Sequence, residues 1–267
     1  MARRTTTRAV ALIPALALAT AVAGCGGGGG EAQGVPIVNE GTLTTCTHLP
    51  YEPFQFRDGR EIVGFDVDLG KAIARDLGVE QQIIDTPFET IQSGQDLNAG
   101  KCDMAAAGMT INEVREENFD FSDPYFDATQ ALLVPKGSGI AGFEQLRGKR
   151  LGIQNATTGA EYAEANAKPA GVELVGFEDL GLLLEALKTQ QIDAVINDNG
   201  VLYDYVKRNP ELEVSTEFDT GEQYGIGVRT GNTQMREFIN QSLQKLKESG
   251  EYDKLYQKWF DKLPDEN

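Results

Sequence analysis

Short apolar runs and amphipathic stretches alternate along this chain from residue 43 onward. Residues 43–48 read as a strand. In 66–77 the apolar residues Val67, Leu69, Ile73, Ala74 and Leu77 recur at helical spacing, and Gly78 supplies the stop that often lies just past a helix end. Residues 80–85 read as a second strand, 90–100 as a second helix closed by Gly100, and 103–108 as a third strand of small residues. The alternation then resumes with strands at 131–134, 150–153, 173–177 and 193–196. Helices fall at 159–166 and 181–189, the latter with Leu182, Leu183, Leu184, Ala186 and Leu187 as an apolar face. A helix carrying Val201, Tyr205 and Val206 follows, then a strand at 224–229 and two closing helices at 233–247 and 251–260. Strands alternating with helices predict right-handed βαβ units and mostly parallel sheets, here in two similar α/β lobes. The strands at 131–134 and 224–228 are placed to be two hinge crossings, so the first lobe draws on both ends of the chain.

The N-terminus follows a different pattern. Arg3, Arg4 and Arg8 precede an apolar stretch, 9–23, that Pro14 interrupts. It is too short to span a membrane, which takes about 20 apolar residues, and fits a secretory signal peptide over 1–24. Val22-Ala23-Gly24-Cys25 resembles a bacterial lipobox, in which the cysteine is acylated and becomes the new N-terminus. An ordinary signal peptide with a cysteine nearby is the competing reading. The five glycines of 26–30 favour the lipobox, because they would make a flexible leash for an anchored domain. The expected organisation is a tether over 25–40, lobe 1 from 41–131 and 227–267, and lobe 2 from 132–226. The expected location is the extracytoplasmic face of the cell membrane, held by a lipid on Cys25.

Charge narrows the partners. The full chain carries −17, and loss of Arg3, Arg4 and Arg8 with the signal peptide deepens this to −20. Such acidity argues against nucleic acid and against electrostatic adhesion to anionic lipid. No second apolar run is long enough to span, so attachment rests on the N-terminal lipid. The remaining cysteines, Cys46 and Cys102, can form a disulfide in an exported chain; two buried thiols are the alternative.

Catalytic equipment is scarce. His48 is the one histidine, which excludes His-rich metal sites, and the sequence contains no G-x-S-x-G elbow, H-E-x-x-H or P-loop. Neither a cofactor nor a metal is expected. Groups suited to a zwitterion are present instead. Gly108-Met-Thr110-Ile-Asn-Glu-Val-Arg115 follows a strand and opens a helix, where backbone N–H groups favour an anion and an arginine can grip a carboxylate with two prongs. A surface ion pair with Glu113, Glu116 or Glu117 is the competing reading of Arg115. Thr157 and Thr158, on a strand-to-helix turn of the other lobe, add hydroxyls, or serve as plain N-caps. Asp198, after the strand at 193–196, can accept from an ammonium group, or can cap a helix. Tyr51 and Phe65, each at a loop-to-helix join, are the aromatics expected at the cleft between lobes. A cleft at strand ends is a favoured place for a small ligand.

Several motifs occur in order: Tyr51-Glu-Pro-Phe54, Gly64-Phe-Asp-Val-Asp-Leu69, Gly100-Lys-Cys-Asp103, Gly108 to Arg115, Phe121-Ser-Asp-Pro-Tyr125, Leu146-Arg-Gly-Lys149 and Thr157-Thr-Gly159. The series resembles the extracellular solute-binding proteins of polar amino-acid ABC importers, from about residue 43 to the C-terminus. The resemblance implies a bilobed periplasmic-binding-protein-like fold that captures an amino acid for an ABC permease, acting as a monomer and not as an enzyme. It also implies roles. Arg115 holds the α-carboxylate, with Gly108, Thr110 and Thr158 adding bonds. Asp198 takes the α-ammonium, and Tyr51 and Phe65 pack on the side chain. His48 stands where members that bind lysine or arginine often carry an acid, and Gly108 where many have serine. Glu52, Asp127 and Gln130 are expected near the site. Two other functions stay open: a secreted dehydratase on the same fold, recruiting Glu52 or Asp127 as an acid, and a ligand-sensing partner of a membrane receptor.

Overall fold

The computed structural model describes residues 1–2 and 29–264. Cys25 and nearly all of the expected signal peptide and leash lie outside the described residues. The chain opens with a hairpin of β1 (Gly30–Ala32) and β2 (Val35–Ile37). Then come β3 (Thr42–Thr47), a small hairpin of β4 (Phe56–Asp58) and β5 (Glu61–Val63), α1 (Phe65–Leu77) and β6 (Glu80–Asp85). Two short helices, α2 (Phe88–Gln92) and α3 (Gln95–Asn98), lead to β7 (Met104–Ala105), α4 (Glu113–Glu116) and β8 (Asp120–Phe121). The second half runs β9 (Phe126–Pro135), a 3-10 turn at Phe143–Leu146, β10 (Arg150–Gln154), α5 (Thr158–Asn166), β11 (Glu173–Phe177), α6 (Leu180–Lys188), β12 (Ala194–Asp198) and α7 (Asn199–Arg208). It closes with β13 (Leu212–Tyr224), β14 (Gly227–Val228), α8 (Thr233–Glu248) and α9 (Glu251–Phe260).

These elements build two five-stranded sheets, ordered β6-β3-β7-β14-β8 and β11-β10-β12-β9-β13. In the first, β3 pairs in parallel with β6 and β7 while β14 joins β7 and β8 antiparallel; in the second, β10 pairs in parallel with β11 and β12 while β9 joins β12 and β13 antiparallel. The fold is bilobed α/β. Beyond the second sheet proper, Phe126–Ala128 of β9 pairs with Glu222–Tyr224 of β13 as a two-stranded ribbon leading toward the first sheet. Leu43, Leu69, Ile73, Leu77 and Met104 fill the first core, and Leu132, Val134, Leu151, Ala194 and Ile196 the second.

Three expected elements differ. The helix read over 90–100 is two short helices starting at Phe88, broken where Gly94 adopts φ 72°, a left-handed conformation that ends a helical turn. The strand read over 103–108 pairs only at Met104 and Ala105, after which the chain turns into the cleft. The strand read over 224–229 is the junction of two: β13 ends at Tyr224 in the second sheet, and β14 starts at Gly227 in the first. The body of β13 escaped the sequence reading because it is a polar, half-exposed edge strand with register shifts at Val214/Thr216 and Phe218/Glu222.

Candidate functional site

Four turns, after β3, β7, β10 and β12, converge between the two sheets on one cavity. The first lobe contributes His48, Tyr51, Gln55, Phe88, Ala107, Gly108, Thr110 and Arg115; the second contributes Gln154, Thr157, Thr158 and Asp198.

Arg115 sits in α4, where Asn112 caps the helix by accepting from the Arg115 N–H at 2.9 Å. The residue is 2% exposed. Its Nη1 donates to the Thr110 carbonyl at 2.7 Å and its Nη2 reaches the Ala156 carbonyl of the other lobe at 3.3 Å. Nε has no partner. The guanidinium lies 5.4 Å from the centre of the Phe88 ring. Burial lowers its pKa, opposed by the fields of Glu161, Asp198 and Glu222, yet arginine keeps its charge in proteins. Among the described residues no carboxylate lies within ion-pairing distance, so the expected alternative pairs with Glu113, Glu116 or Glu117 do not form. A buried cation with an open N–H and no counterion is costly unless an anion completes it.

Asp198 provides the opposite charge. It occupies the N-cap position of α7, but its side chain makes no capping bond. It turns into the cavity, where Oδ2 accepts from the Tyr51 hydroxyl at 2.6 Å and from the Tyr224 hydroxyl, and Oδ1 accepts from Gln130 Nε2 at 2.5 Å. Burial first, and then the charge of Glu222, push its pKa up to about 6, while the bonds from Tyr224, Tyr51 and Gln130 pull the other way. Tyr51 spans the cleft, with Asn197 Oδ1 also 2.8 Å from its hydroxyl. Burial and the adjacent Asp198 carboxylate raise the pKa of the Tyr51 hydroxyl, which therefore stays a donor.

The two threonine turns meet at a residue the sequence reading did not single out. Thr110 and Thr158 both donate to Glu222 Oε2, at 2.7 and 2.8 Å, and Gln130 Nε2 adds bonds at 3.1 and 3.2 Å. Thr157 caps α5, accepting from the Ala160 N–H at 3.1 Å. Gly108 adopts φ 55°, and a Cβ there would stand 2.8 Å from Tyr51 Cε1. The turn thus needs glycine, both for its dihedral and for the close approach of the tyrosine. Its N–H is not free for an anion, because it donates to Asp66 Oδ2 at 2.7 Å. Buried Asp66, which also accepts from Tyr125, has its pKa raised to about 7 by burial.

Residues 43–262 match the family model of the bacterial extracellular solute-binding proteins, family 3. The chain belongs to that family. It is 34% identical to a probable histidine-binding protein of Neisseria gonorrhoeae over 85% of this chain and 86% of that one. It is 38% identical to the ABC transporter glutamine-binding protein of Bacillus subtilis (strain 168), over 77% and 76%. An ancestral arginine-binding protein solved with bound arginine superposes with a TM-score of 0.79 at 43% identity, covering 83% of this chain and 99% of that one. The chain is accordingly an extracytoplasmic amino-acid-binding protein of the ABC-importer type.

In this family 3 member, Tyr51, His48, Gly108, Thr110, Arg115, Thr157, Thr158 and Asp198 all line one cavity. Phe65 does not. It is fully buried among Phe54, Tyr125, Tyr252, Tyr256 and Phe260, because the first turn of α1 packs on α9 and not on the cleft. The aromatic it was expected to supply is Phe88, and Pro87 just before it was the available signal of a helix start. Gln154 was missed because the reading ended its strand one residue early. Glu52 and Asp127 stand outside the cavity, Glu52 paired with Arg208 and Asp127 accepting from Gln223 Nε2 at 2.8 Å. Cys46 and Cys102 are joined as a disulfide with their Cα atoms 5.7 Å apart. Among the described residues no group of three or more His, Cys, Asp or Glu could hold a metal ion, and no helix is long and apolar enough to cross a membrane.

Proposed function

We propose that the cavity captures one L-amino acid by its two backbone charges, and that the protein then delivers it, as a lipid-anchored monomer, to an ABC permease. The observation that carries this reading is the pair Arg115 and Asp198, buried opposite charges that line one cavity without an ion pair between them. Arg115 and the turn at Thr158 receive the α-carboxylate. Asp198 and the Gly108 carbonyl receive the α-ammonium, and Phe88 packs on the side chain. The lobes we assign are 41–131 with 227–267, and 132–226, with the ribbon of β9 and β13 as the hinge. Closure brings Arg115 and Asp198 to one ligand from opposite lobes, so ligand favours the closed state by its differential contacts. The two acids that a dehydratase reading would recruit, Glu52 and Asp127, lie outside the cavity, Glu52 paired with Arg208 and Asp127 bonded to Gln223.

Removing one partner of a buried charge pair costs about 2–5 kcal/mol. Arg115→Ala is therefore expected to weaken amino-acid binding by at least about thirtyfold while the protein stays folded. Calorimetric titration with each amino acid that the parent binds tests this, alongside thermal unfolding. Unchanged affinities would remove Arg115 from the site.

A further inference from the structure

The side chain of the ligand is legible in the charges and open hydrogen-bonding atoms of the cavity wall. Apart from His48, the lining holds one cation and one anion, Arg115 and Asp198. A zwitterion uses both. Every other lining group is neutral: an aromatic ring, two glutamines, three threonines, a tyrosine, and small residues. A charged ligand side chain would then stand desolvated without a counterion, which a buried site does not tolerate.

The other nearby carboxylates lie outside this lining. Glu222 sits behind Thr110 and Thr158 and is hydrogen-bonded to both and to Gln130. Asp85, Glu89 and Glu178 line a separate surface groove that shares His48 and Phe88. Asp85 accepts from the Leu49 N–H at 3.3 Å and pairs with Arg57 at 3.6 Å, and Glu178 accepts from Asn155 Nδ2 at 3.1 Å.

The neutral part of the wall is nevertheless polar, and of one sense. His48 Nδ1 lies 2.9 Å from the Thr86 carbonyl. A carbonyl can only accept, so Nδ1 carries the hydrogen and Nε2 of the neutral ring is an acceptor. That Nε2 is buried and has no partner. Gln55, 1% exposed, directs its amide NH₂ to the His48 carbonyl at 3.4 Å, which fixes its orientation and leaves Oε1 as a second buried, unpartnered acceptor. Buried polar atoms are seldom left open in a finished structure. Here two acceptors on neighbouring residues lack donors, and the face of Phe88 borders the same cavity.

Resting on the zwitterion reading above, we infer that this cavity selects an amino acid whose side chain is uncharged and ends in N–H donors, the ω-carboxamide class typified by glutamine, with His48 Nε2 and Gln55 Oε1 accepting from its NH₂. A carboxylate side chain would present oxygens to two acceptors. An ammonium or guanidinium would carry a charge that nothing in the wall neutralises. A site built to pair a polar group rejects an analogue that leaves its own groups unpaired.

Titration calorimetry of the ligand-free protein with glutamine, asparagine, glutamate, histidine, lysine and arginine tests the inference. Glutamine is expected to bind at least about tenfold tighter than glutamate, lysine and arginine, a difference of about 1.4 kcal/mol. Arginine or lysine binding as tightly as glutamine would overturn the inference, whatever any variant does. His48→Asp supplies the missing counterion and is expected to shift the arginine-to-glutamine preference by tenfold or more toward arginine. A folded His48→Asp protein with the parent ranking would equally overturn it. The zwitterion reading fails separately: in that case Arg115→Ala leaves every affinity unchanged, whereas failure of the side-chain inference alone leaves an Arg115-dependent site with another preference.

Discussion

At the scale of single residues, the site is built from charges placed where water cannot stabilise them. Asp198 has its pKa pushed up to about 6 by burial and by Glu222. Its ionised form is therefore the costly one, and protonation below about 6 relieves that cost in the free protein. An incoming ammonium group reverses the preference, since it favours the ionised carboxylate. Binding below about pH 6 must then expel a proton, so affinity is expected to fall as pH drops through about 6, by up to about tenfold per unit, and to level off above it. Stability of the free protein runs the other way. The raised pKa of Asp198 and that of Asp66, about 7, both add stability as pH falls through those values. Affinity measured from pH 5 to 8 checks the first claim, and Asp198→Asn assigns it. The variant should bind weakly and lose the slope near 6. An unchanged slope in the variant would show that another group titrates.

At the scale of elements, the turns matter more than the helices and strands that carry them. The Cys46–Cys102 bond ties β3 to the turn preceding β7, the two elements that lead into the Tyr51 and Gly108 turns. With a sequence separation of 56, the loop it closes corresponds to about 4 kcal/mol of stabilisation on the chain-entropy account. The Cys46→Ala/Cys102→Ala protein is expected to lose about that much unfolding free energy, read by denaturant titration of the exported protein. A loss below about 1 kcal/mol would show that the two elements are held by packing alone. These same elements show where sequence patterning is informative. Helix α1 and strands β3, β10 and β12 were legible because one face or both faces are buried, which imprints a period on the residues. Strand β13 was not, since an exposed edge tolerates charges such as Glu217 and Asp219. Arg115, Asp198 and both threonines were legible as residue types on strand-to-helix turns. The bonds among them were not, because the partner of Thr110 and Thr158 is Glu222, 112 and 64 residues away. Phe65 and Phe88 make the same point: both are aromatics opening helices, and only the packing of α9 decides which one faces the cleft.

At the scale of the whole molecule, the charge decides how the protein can stay near a permease. Its surface carries an excess of acids, −17 over the chain and −20 once the N-terminal arginines are removed. An anionic membrane repels such a body. No described helix can cross the bilayer. Under the proposed anchoring, retention at the membrane falls to a lipid on Cys25, and since a single acyl chain holds only marginally, two chains on one residue are the least that gives stable anchoring. The cavity lies far along the sequence from that residue, and among the described residues its lining begins at His48. Anchoring and capture should consequently be separable. Cys25→Ala is expected to move the protein from the membrane fraction to the soluble extracytoplasmic fraction while leaving amino-acid affinity within about twofold of the parent. The parent's mature N-terminus should carry the added mass of a diacylglycerol on Cys25. A variant that remains with the membranes after a high-salt wash would place the attachment elsewhere in the chain. One that is released but no longer binds would couple the tether to the trap.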